Sequence, residues 1–157
     1  MLLIRPATVT DAPLLLKFIR ELAEYERQPN AVVIKEDTLI KDGFESQPKF
    51  RALIADWGGQ AIGYALFFGF YSSWKGPGIF LEDLFVREAF RGRGIGRALL
   101  SEVARVARQE GSVGIRWEVL DWNESAIKFY KSLGAEFLDD WRQVYLEADA
   151  MNRLADG

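Results

Sequence analysis

The chain contains no cysteine and no histidine. The first absence excludes disulfides, thiolate nucleophiles and Cys-ligated zinc or iron–sulfur sites. The second excludes imidazole-dependent triads and His-bound metals. Acid–base chemistry is left to Asp, Glu, Tyr, Lys or bound water, and no metal is expected. A long hydrophobic run is also missing, since residues 61–71 fall well short of the roughly 20 residues of a membrane helix. At the N-terminus Arg5 and Pro6 follow only four apolar residues, too few for a signal-peptide core. A soluble, cytoplasmic protein with no membrane partner is the expectation.

What is present fits one globular domain over residues 1–157. Hydrophobic residues make up 49% and charged residues 27%, which excludes a disordered or collagen-like chain. The net charge of −3 offers no general attraction to nucleic acid. The charge is uneven, however. Residues 87–108 hold six arginines against Glu88 and Glu102, a local excess of +4 that leaves −7 for the rest. Such a patch fits a discrete anionic ligand, or a solvated helix face that carries arginines.

Local patterns predict the order β-α-α-β-β-β-α-β-α-β-β. Residues 2–5 read as a strand. Thr10 is expected to cap a helix with Leu14, Leu15, Phe18, Ile19 and Leu22 on its apolar face and Pro13 in its first turn. A second helix is expected over 36–42, ending at Gly43. Strands 51–57 and 60–70 flank Gly58-Gly59, a hairpin signal, and a third strand covers 79–86. A helix over 94–109 precedes a strand over 114–120, so the strands on either side of it should be parallel. Asn123 caps a helix that runs to Leu133, and residues 135–138 and 141–147 read as a closing hairpin about Asp139-Asp140. The fold class is α/β (α+β), with a mixed sheet of about seven strands, one parallel βαβ unit and flanking helices.

The turn Arg91-Gly92-Arg93-Gly94-Ile95-Gly96-Arg97 runs from strand into helix. Its glycines let backbone N–H groups converge, and the helix N-terminus adds partial positive charge, which suits a pyrophosphate. A P-loop needs Lys-Ser/Thr after the last glycine, where Arg97-Ala98 stands. The dinucleotide fingerprint needs Gly or Ala where Leu99 stands. A loop whose glycines serve only tight turning remains the plain alternative.

Arg91-x-x-Gly94-x-Gly96, placed between strand and helix, resembles the acetyl-CoA signature of the GNAT N-acetyltransferases. The likeness extends from Ile4-Arg5-Pro6-Ala7 to Trp141. It is nearest to the diamine (spermidine/spermine-type) acetyltransferases, through Leu81-Glu82-Asp83, Trp122-Asn123-Glu124 and Phe129-Tyr130-Lys131. Tyr71-Ser72-Ser73-Trp74-Lys75-Gly76 and Val119-Leu120-Asp121-Trp122-Asn123 are similar to its thialysine-acetylating branch. Where the polyamine branch usually carries an acid, this chain has Ser72.

The resemblance implies acetyl-CoA as cosubstrate. Backbone groups of Leu84, Phe85 and Val86 would meet the pantetheine arm in a gap beside strand 114–120, with Asn123 bonding the same arm. The amides of Arg91, Gly92, Arg93, Gly94, Ile95, Gly96 and Arg97 would hold the pyrophosphate. By the same resemblance Glu82 accepts the substrate proton through water, and Tyr130 protonates the departing thiolate. Tyr25 and Glu26 border the amine, with Trp74 as a wall. Asp83, placed by strand alternation on the face opposite Glu82, is a candidate for binding the amine. Asp140 and Trp141 reach the neighbouring subunit's site in the resembling enzymes, which implies a homodimer. The function expected is N-acetylation of a small primary amine such as thialysine, a lysine-like amino acid or a diamine. A peptide N-acetyltransferase of the same fold, an acyl-CoA-binding module and a nucleotide-binding domain stay open.

Overall fold

The computed structural model describes all 157 residues, which form two compact units, Met1–Leu120 and Asp121–Gly157. The first unit is built on a five-stranded sheet in the order β1 (Leu2–Pro6), β2 (Arg51–Trp57), β3 (Gln60–Ser72), β4 (Gly76–Val86) and β5 (Ile115–Arg116). Pairing is antiparallel through β4 and parallel between β4 and β5. The crossover is α3 (Ile95–Gln109), as its position between two strands required. No helix is long and apolar enough to cross a membrane.

Two amphipathic helices, α1 (Ala12–Tyr25) and α2 (Glu36–Phe44), cover one face of the sheet. There Ala12, Leu15, Phe18 and Leu39 pack on Ala52, Ile54, Tyr64, Leu66 and Phe85. Residues of opposite strand parity, among them Leu53, Ala55, Ala65 and Phe67, are also buried. They take the other face, where α3 contacts strands β1 to β4 through a stripe that includes Leu99, Val103 and Ala107.

Local chemistry explains most boundaries. Gly58 and Gly59 have φ of 58° and 83°, the two positive values that a tight hairpin between Trp57 and Gln60 demands. The start of α1 differs from the expected Thr10 cap. A single turn over Val9–Asp11 precedes the helix, whose N-cap is Asp11. The carboxylate of Asp11 accepts the Thr8 amide at 2.7 Å and both terminal nitrogens of Arg5 at 2.8 and 3.0 Å. Arg5 Nε donates to Asp56 at 2.7 Å, so one guanidinium joins β1, β2 and the entry to α1. Gly43 does not end α2, which continues to Phe44. A Cβ on Gly43 would lie 2.3 Å from the Phe50 ring, so this glycine makes room for packing.

The expected seven strands are five. The parallel ladder covers only Ile79↔Ile115 and Phe80↔Arg116, so β5 is two residues long rather than spanning 114–120. In the second unit, α4 (Glu124–Ser132) is capped by Asn123, whose side chain accepts from the Ala126 amide. The turn at Asp139-Asp140 forms, with the Trp141 amide donating to the Leu138 carbonyl at 3.1 Å. Its flanks, residues 135–138 and 141–147, form no ladder. Their strand-like pattern finds no sheet face to cover: Trp141, Val144 and Tyr145 remain exposed, and a strand without a partner has no backbone bonds to hold it. A helix that the patterns had not indicated, α5 (Ala148–Ala155), follows with no buried residue.

The centre of the sheet tolerates no side chain at Gly63. A Cβ there would meet the Phe85 carbonyl oxygen at 2.5 Å and the Val86 Cα at 3.2 Å, both backbone atoms of β4. Gly63→Ala is expected to lower the unfolding free energy by about 2–3 kcal/mol, read as a reduced urea midpoint at unchanged m-value.

Candidate active site

The site begins where β4 departs from regularity. Leu66 opposes Asp83 and Phe67 opposes Leu81, so Glu82 has no partner on β3 and forms a bulge. Opposed residues share a face. Asp83 therefore lies on the α1 face with Leu66, beside Tyr64 and Phe85, while Leu81 lies on the other face with Phe67. Simple alternation, which set Asp83 on the face opposite Glu82, does not hold through this segment, because the extra residue shifts the phase.

The same strand loses its second neighbour here. The ladder to β5 ends at Phe80, so Leu84, Phe85 and Val86 are strand-paired on the β3 edge alone. The Phe85 side chain is buried against Phe18 and Tyr64, which leaves its backbone as its contribution to a ligand.

The end of α1 is anchored against this strand. Arg87 donates to both carboxylate oxygens of Glu21 at 2.9 and 2.8 Å and lies over the Phe18 ring at 4.8 Å. The Arg91 guanidinium lies 4.5 Å from the Tyr25 ring centroid, and its Nε donates to the Val86 carbonyl at 2.8 Å. A cavity of about 370 Å³ opens between Glu21, Glu24 and Tyr25 on one side and Phe85, Arg87 and Arg91 on the other. Glu21 is thereby a structural acid, and Tyr25 and Arg91 meet.

Four carboxylates of this unit gather without a cation. Glu26 follows the last turn of α1, Glu82 and Asp83 lie on β4, and Glu118 follows β5. None forms an ion pair; Asp11, Asp42, Asp56, Glu21, Glu102 and Glu110 do, all with arginine or lysine. Burial raises the Glu82 carboxyl above the usual range, and the charges of Asp83 and Glu118 raise it further. Glu26 is raised by burial and then by Glu82. Asp83 is pushed up to about 6 by burial, opposed by a hydrogen bond from the Tyr64 hydroxyl at 2.7 Å and reinforced by Glu26. Carboxylates held in this way have a raised affinity for protons and attract a cation.

The glycine-rich turn reaches α3 through Gly94, the N-cap, at φ 77°. The first-turn amides of Ile95, Gly96 and Arg97 have no carbonyl of their own helix to bond. Gly96 has helical geometry and no protein atom within 4 Å of an added Cβ, so the fold does not require glycine there. The open space above it suits close approach of a ligand. Ile95 itself is buried, so only its backbone is available. Arg93 lies against Phe90 and Trp57, and Arg97 is exposed.

The structure thus brings together Glu26, Glu82 and Asp83, and separately Tyr25, Phe85 and Arg91. Trp74 is not among them: it is 84% exposed in the turn between β3 and β4, about 20–25 Å of extended chain from Glu82. Asn123 and Tyr130 belong to the second unit, Asn123 as a helix cap and Tyr130 as a buried side chain beside Phe129. Two participants escaped the sequence reading. Glu118 looked like one more polar residue of a strand, and Tyr64 like a core aromatic in the run 61–71. Only the register of β3 on β4 reveals its partner.

Residues 16–135 match the family described as Acetyltransferase (GNAT) family. The thialysine N-epsilon-acetyltransferase of Sus scrofa is 41% identical, over 98% of this chain and 96% of its own. An integron cassette protein from the mobile metagenome of V. cholerae superposes with a TM-score of 0.82 at 24% identity, covering 99% of this chain and 98% of that one. An aminoglycoside N-acetyltransferase solved in complex with CoA gives 0.74 at 23% identity, over 94% of each chain.

Asp83 has a stability signature of its own. Its folded-state pKa of about 6 lies above the unfolded value near 3.9, so the native state holds an extra proton between them. Stability therefore falls as pH rises through that window, and the full penalty is present above it. Asp83→Asn is expected to raise the unfolding free energy by about 1–2 kcal/mol at pH 8, with the gain vanishing below about pH 4. Urea unfolding at the two pH values checks this.

Proposed function

The chain belongs to the GNAT acetyltransferase family, and from that premise we propose that it moves an acetyl group from acetyl-CoA to the primary amine of a small molecule. The acceptor is thialysine, a lysine-like amino acid or a diamine, and residues 1–157 act as one domain. The observation that carries this reading is the group of unpaired carboxylates beside the one-sided half of β4. A cationic acceptor suits the first, and an extended amide-bearing arm suits the second.

Acetyl-CoA supplies the activated thioester. The stretch Leu84, Phe85 and Val86, which has no strand partner beyond β3, would bond its pantetheine arm, joined by Asn123. The amides from Arg91 to Arg97 would hold the pyrophosphate, and the space over Gly96 fits that assignment.

An alkylammonium with a pKa of about 10.4 is unprotonated in only about one molecule in two or three thousand at pH 7. Glu82 takes its proton through water, and the raised affinity of that carboxyl for protons suits the task. Asp83, Glu26 and Tyr25 bind the amine. The free amine nitrogen attacks the thioester carbonyl, the C–S bond breaks as Tyr130 gives a proton to the leaving sulfur, and the proton that the new amide nitrogen sheds returns through water to Tyr130. The products are an acetamide and CoA. The chain acts as a homodimer, supported by the exposed apolar side chains Leu138, Trp141, Val144 and Tyr145.

The test is CoA thiol release from acetyl-CoA with thialysine, lysine, ornithine, putrescine, spermidine and a peptide. Saturable release with a small amine is expected. Preference for the peptide replaces the acceptor class, and acetyl-CoA binding without release to any acceptor leaves a binding module.

Two variants probe the roles. Glu82→Gln is expected to lower kcat/KM at pH 7 about 100-fold and to move the optimum upward, toward the pKa of the amine; an unaltered pH profile removes Glu82 as base. Gly96→Ala is expected to hold or raise thermal stability, through about 0.5 kcal/mol of helix propensity, while the KM for acetyl-CoA rises. An unchanged KM would place the pyrophosphate elsewhere.

A further inference from the structure

Tyr64 is fully buried, yet its hydroxyl ends on Asp83, a carboxylate that forms no ion pair. Its ring is parallel to Phe18, with centroids 5.5 Å apart and planes within 2°, and Phe85 packs at 6.3 Å. Packing therefore fixes the hydroxyl in space. Phenylalanine would fill the same stack, so the core does not need the oxygen. That oxygen donates to Asp83 Oδ2 at 2.7 Å, and the bulge at Glu82 is what turns Asp83 onto its face.

Resting on the amine-transfer reading above, we infer that Tyr64 is a positioning residue for the acceptor: its hydroxyl engages one oxygen of Asp83 and holds the carboxylate in the orientation in which the other oxygen, with Glu26, meets the substrate ammonium. The charged and titratable neighbours are Tyr64 from β3, Glu26 from α1 and Glu82 from β4 itself, with Glu118 after β5 acting on Glu82. None is a cation. The donor from Tyr64 is the one neighbour that favours the charged form of Asp83, so it controls both where that charge sits and over what pH range it is present.

The experiment is Tyr64→Phe, which keeps the stack on Phe18, with two readouts. The first needs no turnover: a carbon-13 NMR titration of aspartate-labelled protein, with the Asp83 signal assigned by its loss in Asp83→Asn. The Asp83 midpoint, about 6 with Tyr64 in place, should move upward. The second is steady-state kinetics. The KM for the acceptor amine should rise about tenfold near pH 6.5, as expected for a lost hydrogen bond to a charged group. The gap should narrow at pH 9, with kcat and the KM for acetyl-CoA held within about twofold. The double variant Tyr64→Phe/Asp83→Asn should bind amine no worse than Asp83→Asn alone.

An unmoved midpoint, or a moved midpoint with unchanged amine KM, overturns the inference and leaves Tyr64 as a packing residue. If wild-type protein acetylates no amine, the proposed function fails, and the inference falls with it even when the midpoint moves. If Tyr64→Phe does not fold, replacing tyrosine with difluorotyrosine makes a stronger donor. The Asp83 midpoint must then move downward and the amine KM near pH 6.5 must fall; failure of either overturns the inference.

Discussion

β4 is hydrogen-bonded on both edges only near Ile79 and Phe80, and the features of the site in the first unit follow from what happens beyond that point. An edge of unpaired amides and carbonyls is a standing demand for partners, which water or an extended ligand must meet. Within two residues of the split the strand also bulges at Glu82, which changes the face that the following side chains occupy. One strand thus combines an edge without a second strand partner and a cluster of carboxylates without a cation. Had β4 stayed regular, Leu81 and Asp83 would share one face instead of lying on opposite faces.

The distribution of charge separates scaffold from site. Arg5 with Asp11 and Asp56, Arg87 with Glu21, and Arg51 with Glu110 tie elements together through paired groups. The Arg51–Glu110 pair is exposed and contributes little, while the pairs of Arg5 and Arg87 are partly buried; all of them specify which elements meet. Glu26, Glu82, Asp83 and Glu118 receive no such partner. Their mutual repulsion and partial burial work against folding and leave carboxyls with raised proton affinity. A binding site for a cation has this form, because the arriving charge relieves repulsion that the empty protein carries.

Arg87 links the two aspects. Its bonds to Glu21 and to the Ala61 carbonyl hold the last turns of α1 beside the end of β4. That placement brings Tyr25 under Arg91 and Glu26 within electrostatic reach of Glu82. The glycine-rich turn starts four residues after Arg87, so the anchoring of the helix and the position of that turn depend on the same short segment. Arginines that sequence alone grouped as one basic patch do different work: Arg87 and Arg91 are engaged in the framework, while Arg97 remains exposed at the helix N-terminus.

Whatever depends on neighbours in the chain was legible before any fold was known. The Gly58-Gly59 hairpin, the amphipathic helices α1 and α3, the Asn123 cap and the glycine-rich turn into α3 all rest on short-range geometry, and they stand where their residues put them. The family followed from the same segments, because Leu81-Glu82-Asp83 and Arg91-x-x-Gly94-x-Gly96 are themselves contiguous. Pairing across the chain was not legible. Residues 135–147 alternate like strands yet receive no ladder, since a strand exists only if another edge accepts it. The face taken by Asp83 depends on a bulge defined by the register of β3 against β4, and the meaning of Tyr64 depends on that face. Helix, turn and loop signals are local free energies that a sequence carries in itself; register, splay and the electrostatic company of a carboxylate are properties of distant residues brought together, and only the tertiary structure decides them.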